Sequence, residues 1–257
     1  MIDLHSHLLP GVDDGSKTVE QSVAVLTRLA GQGVTGICLT PHLLASQATA
    51  GVPPKHQQAY QALAPRVPEG ITVYRGAEIM LDRPLETAVA RDRRVTLNAT
   101  RYILVEFPRL VAGQTVEQAL ALVVAIGLVP VLAHPERYKC CDVESARRWK
   151  SLGSLLQVDG PTLLSPRPRG ARARELVQHG LADIAAGDNH GDDRSLRAAW
   201  DELMTHEGSM QAQLLLTRNP QAILEDRPVE SVPPLAWRFS LLERLRTMLR
   251  SQDEDRP

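Results

Sequence analysis

Long apolar runs, paired cysteines, aromatic side chains and an excess of either charge are all scarce in this sequence, and each scarcity removes a class of protein. No apolar stretch approaches the roughly 20 residues that cross a bilayer as a helix, so direct membrane insertion is not expected. The three cysteines, Cys38, Cys140 and Cys141, form no C-x-x-C pair, which excludes a disulfide framework and a thiolate zinc site. Two phenylalanines, three tryptophans and four tyrosines are too few for a base-stacking protein. Lys+Arg 29 against Asp+Glu 30 leaves a formal net charge of -1, without the basic excess of a nucleic-acid binder. No basic and apolar leader opens Met1-Ile2-Asp3-Leu4-His5, so a cytoplasmic protein is expected. With 257 residues the chain can build one α/β barrel or two modest domains.

What is present is an alternation of strand-like and helix-like segments. Apolar, β-branched-rich runs fall at 1–5, 36–40, 71–78, 102–107, 129–134, 154–158 and 182–187. Helical patterns separate them at 19–33, 55–64, 84–90, 116–127, 143–152, 171–180 and 195–206, with a last short helix at 219–226. Thr18 and Thr115 read as N-caps, the second with Gln118 as a capping box, and Gly33, Gly127, Gly153 and Gly180 fall where C-caps belong. Such alternation implies a parallel sheet with right-handed crossovers. Six of the seven apolar runs end in or lead to a His, Asp or Glu. A closed barrel gathers such ends at one mouth, which favours it over a doubly wound sheet. Residues 1–225 then form a single domain. Residues 226–257 follow as a proline-rich tail with a helix at 239–250 and a disordered charged end.

The strand ends carry the chemistry. Alternate residues on a strand share a face about 6.5–7 Å apart, so the imidazoles of His5-Ser6-His7 can converge on one metal. The series continues through Asp14, His42, Glu78, Glu106 and His134 to Asp188-Asn189-His190. Singly, each has an ordinary explanation: a turn aspartate, a helix cap, a hydrogen-bonded core histidine. A carboxylate such as Glu106 amid apolar neighbours costs several kcal/mol when buried unpaired, and the recurrence at successive strand ends calls for one shared metal site. Nine nitrogen and oxygen ligands without thiolates suit two or three ions of Mn, Fe or Zn in a catalytic role. Clustered ions of this kind usually carry out hydrolysis.

The motifs Met1-Ile2-Asp3-Leu4-His5-Ser6-His7, Leu9-Pro10-Gly11-Val12-Asp13-Asp14-Gly15, Thr40-Pro41-His42, Gly76-Ala77-Glu78, Leu104-Val105-Glu106-Phe107-Pro108, His134-Pro135-Glu136-Arg137-Tyr138 and Gly187-Asp188-Asn189-His190 together resemble the polymerase-and-histidinol-phosphatase (PHP) superfamily. More narrowly the chain looks like the manganese-dependent tyrosine-protein phosphatases of bacterial capsule and exopolysaccharide operons. That resemblance, over residues 1 to 225, implies a distorted (β/α)7 TIM-like barrel with a trinuclear manganese site. It places His5, His7, Glu78 and Asp188 on one ion, and Glu78, Glu106 and His134 on a second. Asp14, His42 and His190 fall to the third. Arg137 and Arg194 would meet the phosphoryl oxygens, with Arg197 as a fallback for Arg194. A metal-activated hydroxide would attack phosphorus directly. The implied partner is the phosphotyrosine-bearing tail of a bacterial tyrosine autokinase, and the resemblance leaves room for a homo-oligomer.

Cys141 and Arg147 fit the C-x5-R spacing of thiolate phosphatases, but Asp142 and Glu144 would repel a phosphate there, so a helix start is expected instead. Amidohydrolases also open with H-x-H but bridge two metals with a carbamylated lysine. None of the four lysines, Lys17, Lys55, Lys139 and Lys150, ends a strand. The arginine run Arg167, Arg169, Arg172 and Arg174 reads as a solvated helix start, with docking of an acidic or phosphorylated tail as the alternative. Rival functions are a histidinol-phosphate-type phosphatase, an exonuclease and a regulator that uses metal only to fold.

Overall fold

A computed structural model describes residues 1–237. The expected helix at 239–250 and the disordered end lie outside the described residues. The strands are β1 (Ile2–Ser6), β2 (Gly36–Leu39), β3 (His42–Leu44), β4 (Thr72–Arg75), β5 (Glu78–Met80), β6 (Tyr102–Glu106), β7 (Val129–Ala133), β8 (Leu155–Asp159) and β9 (Ile184–Ala186). All pair in parallel, in one sheet of order β1-β2-β4 and another of order β3-β5-β6-β7-β8-β9. The helices are α1 (Val19–Gly31), α2 (Ala45–Ala48), α3 (Pro54–Leu63), α4 (Thr87–Asp92), α5 (Gly113–Ala125), α6 (Val143–Ser151), α7 (Pro168–Gln178), α8 (Leu196–Thr205), α9 (Ser209–Gln213) and α10 (Asn219–Leu224). This is a mixed α/β fold with parallel sheets, as the alternation implied.

The strand expected at 36–40 ends as β2, and after Pro41, which has no N–H for a ladder bond, an unexpected short strand β3 follows. Gly76 interrupts the next strand, where a Cβ would press on Cys38 Sγ at 3.1 Å and Leu97 at 3.1 Å. The breaks let each chain leave one sheet and join the other, and β3 and β5 pair with His42 opposite Glu78. At the far edge the sheets meet again, because Ser6 bridges Asn189 and the Asp188 N–H donates to the His5 carbonyl at 2.9 Å.

Side-chain alternation sorts the strands into two faces. On β6, Ile103 and Val105 join the core beneath α5 and α6, together with Val116, Leu120 and Trp149. Tyr102 and Leu104 point the other way, into a cluster with Leu4, Val131, Ala133 and Ile184. Glu106 has the same parity as Leu104, so the apolar inner face ends in a carboxylate. On β1 the register against β2 gains one residue between Asp3 and Ser6. That bulge switches the parity, so His5 can follow Ile2 and Leu4 toward the same side.

Thr18 caps α1 as expected, accepting from the Gln21 N–H at 3.2 Å. Thr115 does not cap α5, which starts two residues earlier at Gly113 after Ala112 and has no side-chain cap. Residues 226–237 lie against the body of the protein. Asn219 exchanges two 2.9 Å bonds with the Glu230 backbone, and Gln211 donates to the carbonyls of Pro233 and Pro234 at 3.2 Å. Val232, Leu235 and Trp237 are buried, with the Trp237 ring 4.3 Å from that of His206. Trp237→Ala should therefore cost about 3 kcal/mol of stability, read as a lower midpoint in urea unfolding. An unchanged midpoint would mean the segment is only loosely laid on the surface.

Candidate metal centre

The β1 bulge delivers His5 and His7 with their Nε2 atoms 3.1 Å apart. Each ring is held from behind. His5 Nδ1 lies 2.9 Å from the carbonyl oxygen of the Gln157 side chain, and His7 Nδ1 lies 2.8 Å from Asp13 Oδ2. Both partners only accept, so each Nδ1 carries the proton and each Nε2 turns a lone pair into the centre. Asp13 also accepts from the Gly15 N–H at 3.0 Å and the His42 N–H at 3.2 Å, tying the 8–16 loop to the cluster. Only glycine fits at 15, since a Cβ there would lie 1.9 Å from the His7 carbonyl oxygen.

Two carboxylates complete the group. Glu78 Oε2 is 3.2 Å from His5 Nε2 and 3.3 Å from His7 Nε2, and Asp188 Oδ1 is 3.3 Å from both. Asp188 is delivered by the turn after β9, with φ of 46°. The other Glu78 oxygen meets His134 Nε2 at 2.9 Å. His42 faces two ways: Nδ1 is 3.0 Å from Glu78 and 3.1 Å from Glu106, and Nε2 is 3.4 Å from Asp14. His190 Nε2 reaches the same Asp14 oxygen at 3.5 Å and its ring stacks on His7 at 4.1 Å. All nine residues singled out at the strand ends thus come together, in overlapping groups of ligand atoms that could hold metal ions.

The donor chemistry fits metal. Atoms bound about 2.0–2.2 Å from one cation lie about 3.0–3.5 Å apart, which is the spacing found here. Two imidazole lone pairs facing each other repel unless a cation lies between them. Glu78 Oε2 is fully buried with no hydrogen-bond donor. Burial alone would raise the Glu78 carboxyl, but His5, His134 and His42 outweigh it and hold it well below the usual carboxylate range. Burial likewise opposes and loses at His42, which Glu106 and Glu78 push up to about 10. The cluster therefore calls for positive charge, from protons or from the divalent ions that displace them. Glu78, His5 and His7 have no solvent exposure, whereas Asp14 and His42 are 67% and 37% exposed at the side chain, so the centre opens on their side.

Arg137 follows His134 by one 3-10 turn and binds Asp188 and, at 2.9 Å, Asp159. Arg194 donates to the Asp188 carbonyl and lies 3.3 Å from its carboxylate. The fallback Arg197 is turned away and bonded to Asp201 on its own helix. Cys141 is buried beside Asp142, which caps α6 through the Ser145 N–H at 2.7 Å, so the C-x5-R match is a helix start. Burial and Glu136 push the Cys141 thiol far above its ordinary value, the reverse of what a nucleophile needs.

Sequence reasoning missed the residues behind the ligands. Asp13 stood next to the chosen Asp14. Gln157, inside the apolar Leu155–Asp159, carried the same signal as Glu106 and was passed over. Asp159 ends the one run that appeared to lack an acidic or imidazole terminus. Asp3 accepts from the Gly187 N–H at 3.0 Å and the His5 N–H at 3.1 Å, fastening the first strand to the last.

Parallel strands whose ends assemble buried imidazoles and carboxylates define a class: metal-dependent α/β hydrolases. The chain belongs to the family described as capsular polysaccharide synthesis, CpsB/CapC, which it matches over residues 1–225. It is 28% identical over 241 residues to the tyrosine-protein phosphatase CpsB of Streptococcus pneumoniae, covering 88% of this chain and 99% of that one. It is also 28% identical over 251 residues to the tyrosine-protein phosphatase YwqE of Bacillus subtilis, covering 91% and 95%. The fold superposes on a crystal structure from work describing YwqE and CpsB as metal-dependent tyrosine phosphatases, with TM-score 0.77 and 26% identity over 93% of this chain and 100% of that one. The kinship read from the motifs is borne out.

Asp13→Ala should release the His7 ring and weaken metal binding about 10–100-fold, measured by competition with a fluorescent chelator. Unaltered affinity would show that the loop alone orients His7.

Proposed function

We propose that the chain is a metal-dependent protein-tyrosine phosphatase. Its substrate would be phosphotyrosine on the tail of a bacterial tyrosine autokinase that governs capsule or exopolysaccharide synthesis. The observation that carries this reading is the convergence of five imidazoles and four carboxylates on one partly open centre. His5, His7, Glu78 and Asp188 would hold one ion, and Glu78 would extend to a second with Glu106 and His134. Asp14, His42 and His190 would hold a third. His42 stands between the second and third groups, since its two nitrogens face opposite sides. The oxygen-and-nitrogen donor set suits manganese, with iron or zinc as alternatives. Bound ions supply Lewis acidity, stabilising charge on phosphoryl oxygens and bringing the pKa of water down toward about 7.

The chain's own residues do the rest. Gln157 and Asp13 keep the lone pairs of His5 and His7 turned inward. Arg137 and Arg194 are poised beside Asp188 to take the equatorial phosphoryl oxygens as charge builds on them. Asp159, itself bonded to Thr162 at 2.8 Å, aims Arg137. At His42 a cavity of about 380 Å³ has Leu43, Val52, Pro53 and Pro54 on its lining beside the polar Gln47, Lys55 and His56, room for a tyrosyl ring against its apolar part.

The same reading joins β2 with β3 and β4 with β5 as bent strands. Seven strand paths then close through Ser6 and Asn189 into a distorted (β/α)7 barrel. Residues 1–225 would be its single domain, with 226–237 strapped across it. No helix among the described residues is long and apolar enough to cross a membrane, and the reading places the protein in the cytoplasm.

The test is an assay of the purified protein, with and without manganese, on a phosphotyrosine peptide, histidinol phosphate and single-stranded DNA. Manganese-dependent preference for the peptide is expected, with loss of turnover on chelation and in His134→Ala. Cys141→Ser should retain wild-type kcat. Preference for either other substrate, or a dead Cys141→Ser, overturns the assignment.

A further inference from the structure

We propose that the arginine-lined cavity adjoining Arg137 docks an acidic stretch of the substrate polypeptide next to its phosphotyrosine. This rests on the phosphatase reading above. The cavity, about 460 Å³, is lined by Arg109, Arg137, Arg167, Pro168, Arg169 and Arg172, with no carboxylate among them. Arg137 belongs both to this lining and to the metal centre, so the cavity adjoins the place where the phosphoryl group would sit.

The arginine run of the sequence divides into two jobs. Arg174 is buried and donates to the carbonyls of Leu163 and Ser165 at 2.7 and 2.8 Å, and half-buried Arg172 donates to the Glu136 carbonyl at 2.8 Å. Arg174 thus ties α7 to the 163–165 segment before it, and Arg172 ties it to the turn that carries Arg137. Arg167 and Arg169 are exposed at that helix start, whose first turn contains no acid. Arg109, on the loop after β6, is brought to them by its carbonyl, which accepts from the Lys139 N–H at 3.0 Å. None of these three guanidinium groups pairs with a carboxylate among the described residues. Elsewhere Arg66, Arg94, Arg148, Arg197, Arg218 and Arg227 are each paired with an acid, while Arg28 and Arg75, which are not, bond to backbone carbonyls and to the Gln57 amide.

Unpaired like charges around one cavity set up a field that attracts anions. The volume lies in the range that houses a drug-sized ligand, well beyond one phosphate group. The cations come from two separate segments and so suit several carboxylates spread along a chain. An acidic flank would place its carboxylates against Arg109, Arg167 and Arg169 while the phosphotyrosine reaches the centre past Arg137.

The experiment compares three singly scissile peptides on the manganese-supplemented full chain: phosphotyrosine flanked by serines, by Asp and Glu, or by serines with a non-hydrolysable phosphonomethyl-phenylalanine in place of a second phosphotyrosine. The acidic flank should lower KM about tenfold with kcat nearly unchanged, and the advantage should vanish in Arg167→Ala/Arg169→Ala and fall steeply at high salt. Equal KM for the serine and acidic peptides overturns the proposal, as does an advantage that survives the double substitution. A gain confined to the phosphonomethyl-phenylalanine peptide overturns it too, by assigning the cavity to a second phosphate. If no peptide is hydrolysed, the phosphatase reading fails by itself. Fluorescence anisotropy of the same peptides on chelator-treated protein then still reads the cavity: tighter binding of the acidic peptide upholds it, and equal binding refutes it.

Discussion

The whole arrangement depends on bringing several electron-rich nitrogen and oxygen atoms into one dry place and leaving the positive charge to be added. His5 and His7 aim lone pairs at each other across 3.1 Å because each keeps its proton on Nδ1, donated in a hydrogen bond to Gln157 or Asp13. Glu78, without exposure, touches the group with both oxygens. Apolar packing cannot stabilise such a centre, and water has no access to most of it. Cations can, and the surplus of electron-rich donors is what gives the cluster its affinity for metal.

The parallel scaffold makes that possible by sending every strand's end the same way. Its irregularities then do the aiming. An extra residue in β1 turns His5 onto the inner face, Pro41 frees His42 from the first sheet, and positive φ at His134 and Asp188 swings two ligands inward. Non-glycine residues in that conformation cost about 1–3 kcal/mol each and persist where the surroundings impose them.

Much of this was legible in the chain. The alternation implied the class of fold, and the strand-end pattern singled out the nine histidines and acids whose nitrogen and oxygen atoms the structure brings together. Thr18 was recognisable as a cap because its side chain needs only the local Gln21 N–H. Thr115 misled, since α5 began at Gly113 and left the local capping pattern unused. The break at Gly76 was hidden because each half-strand keeps the apolar pattern of the whole; what divides them is pairing with a different neighbour. Gln157 and Asp159 escaped notice for a related reason. Their importance lies in what they touch from across the sheet, His5 and Arg137, and sequence spacing says nothing of that.

The clasp between the first and last strands has a consequence for how the protein is made. Asp3 accepts from Gly187, 184 residues further on, and the imidazoles of His5 and His7 wait for Asp188 and His190. A ribosome adding about 5–20 residues per second needs about 10–40 s to supply that separation. Throughout that interval the emerging chain exposes an incomplete ligand set. Completion of the centre thus waits for the chain beyond β9, and metal acquisition doubles as a report that this segment has arrived and docked.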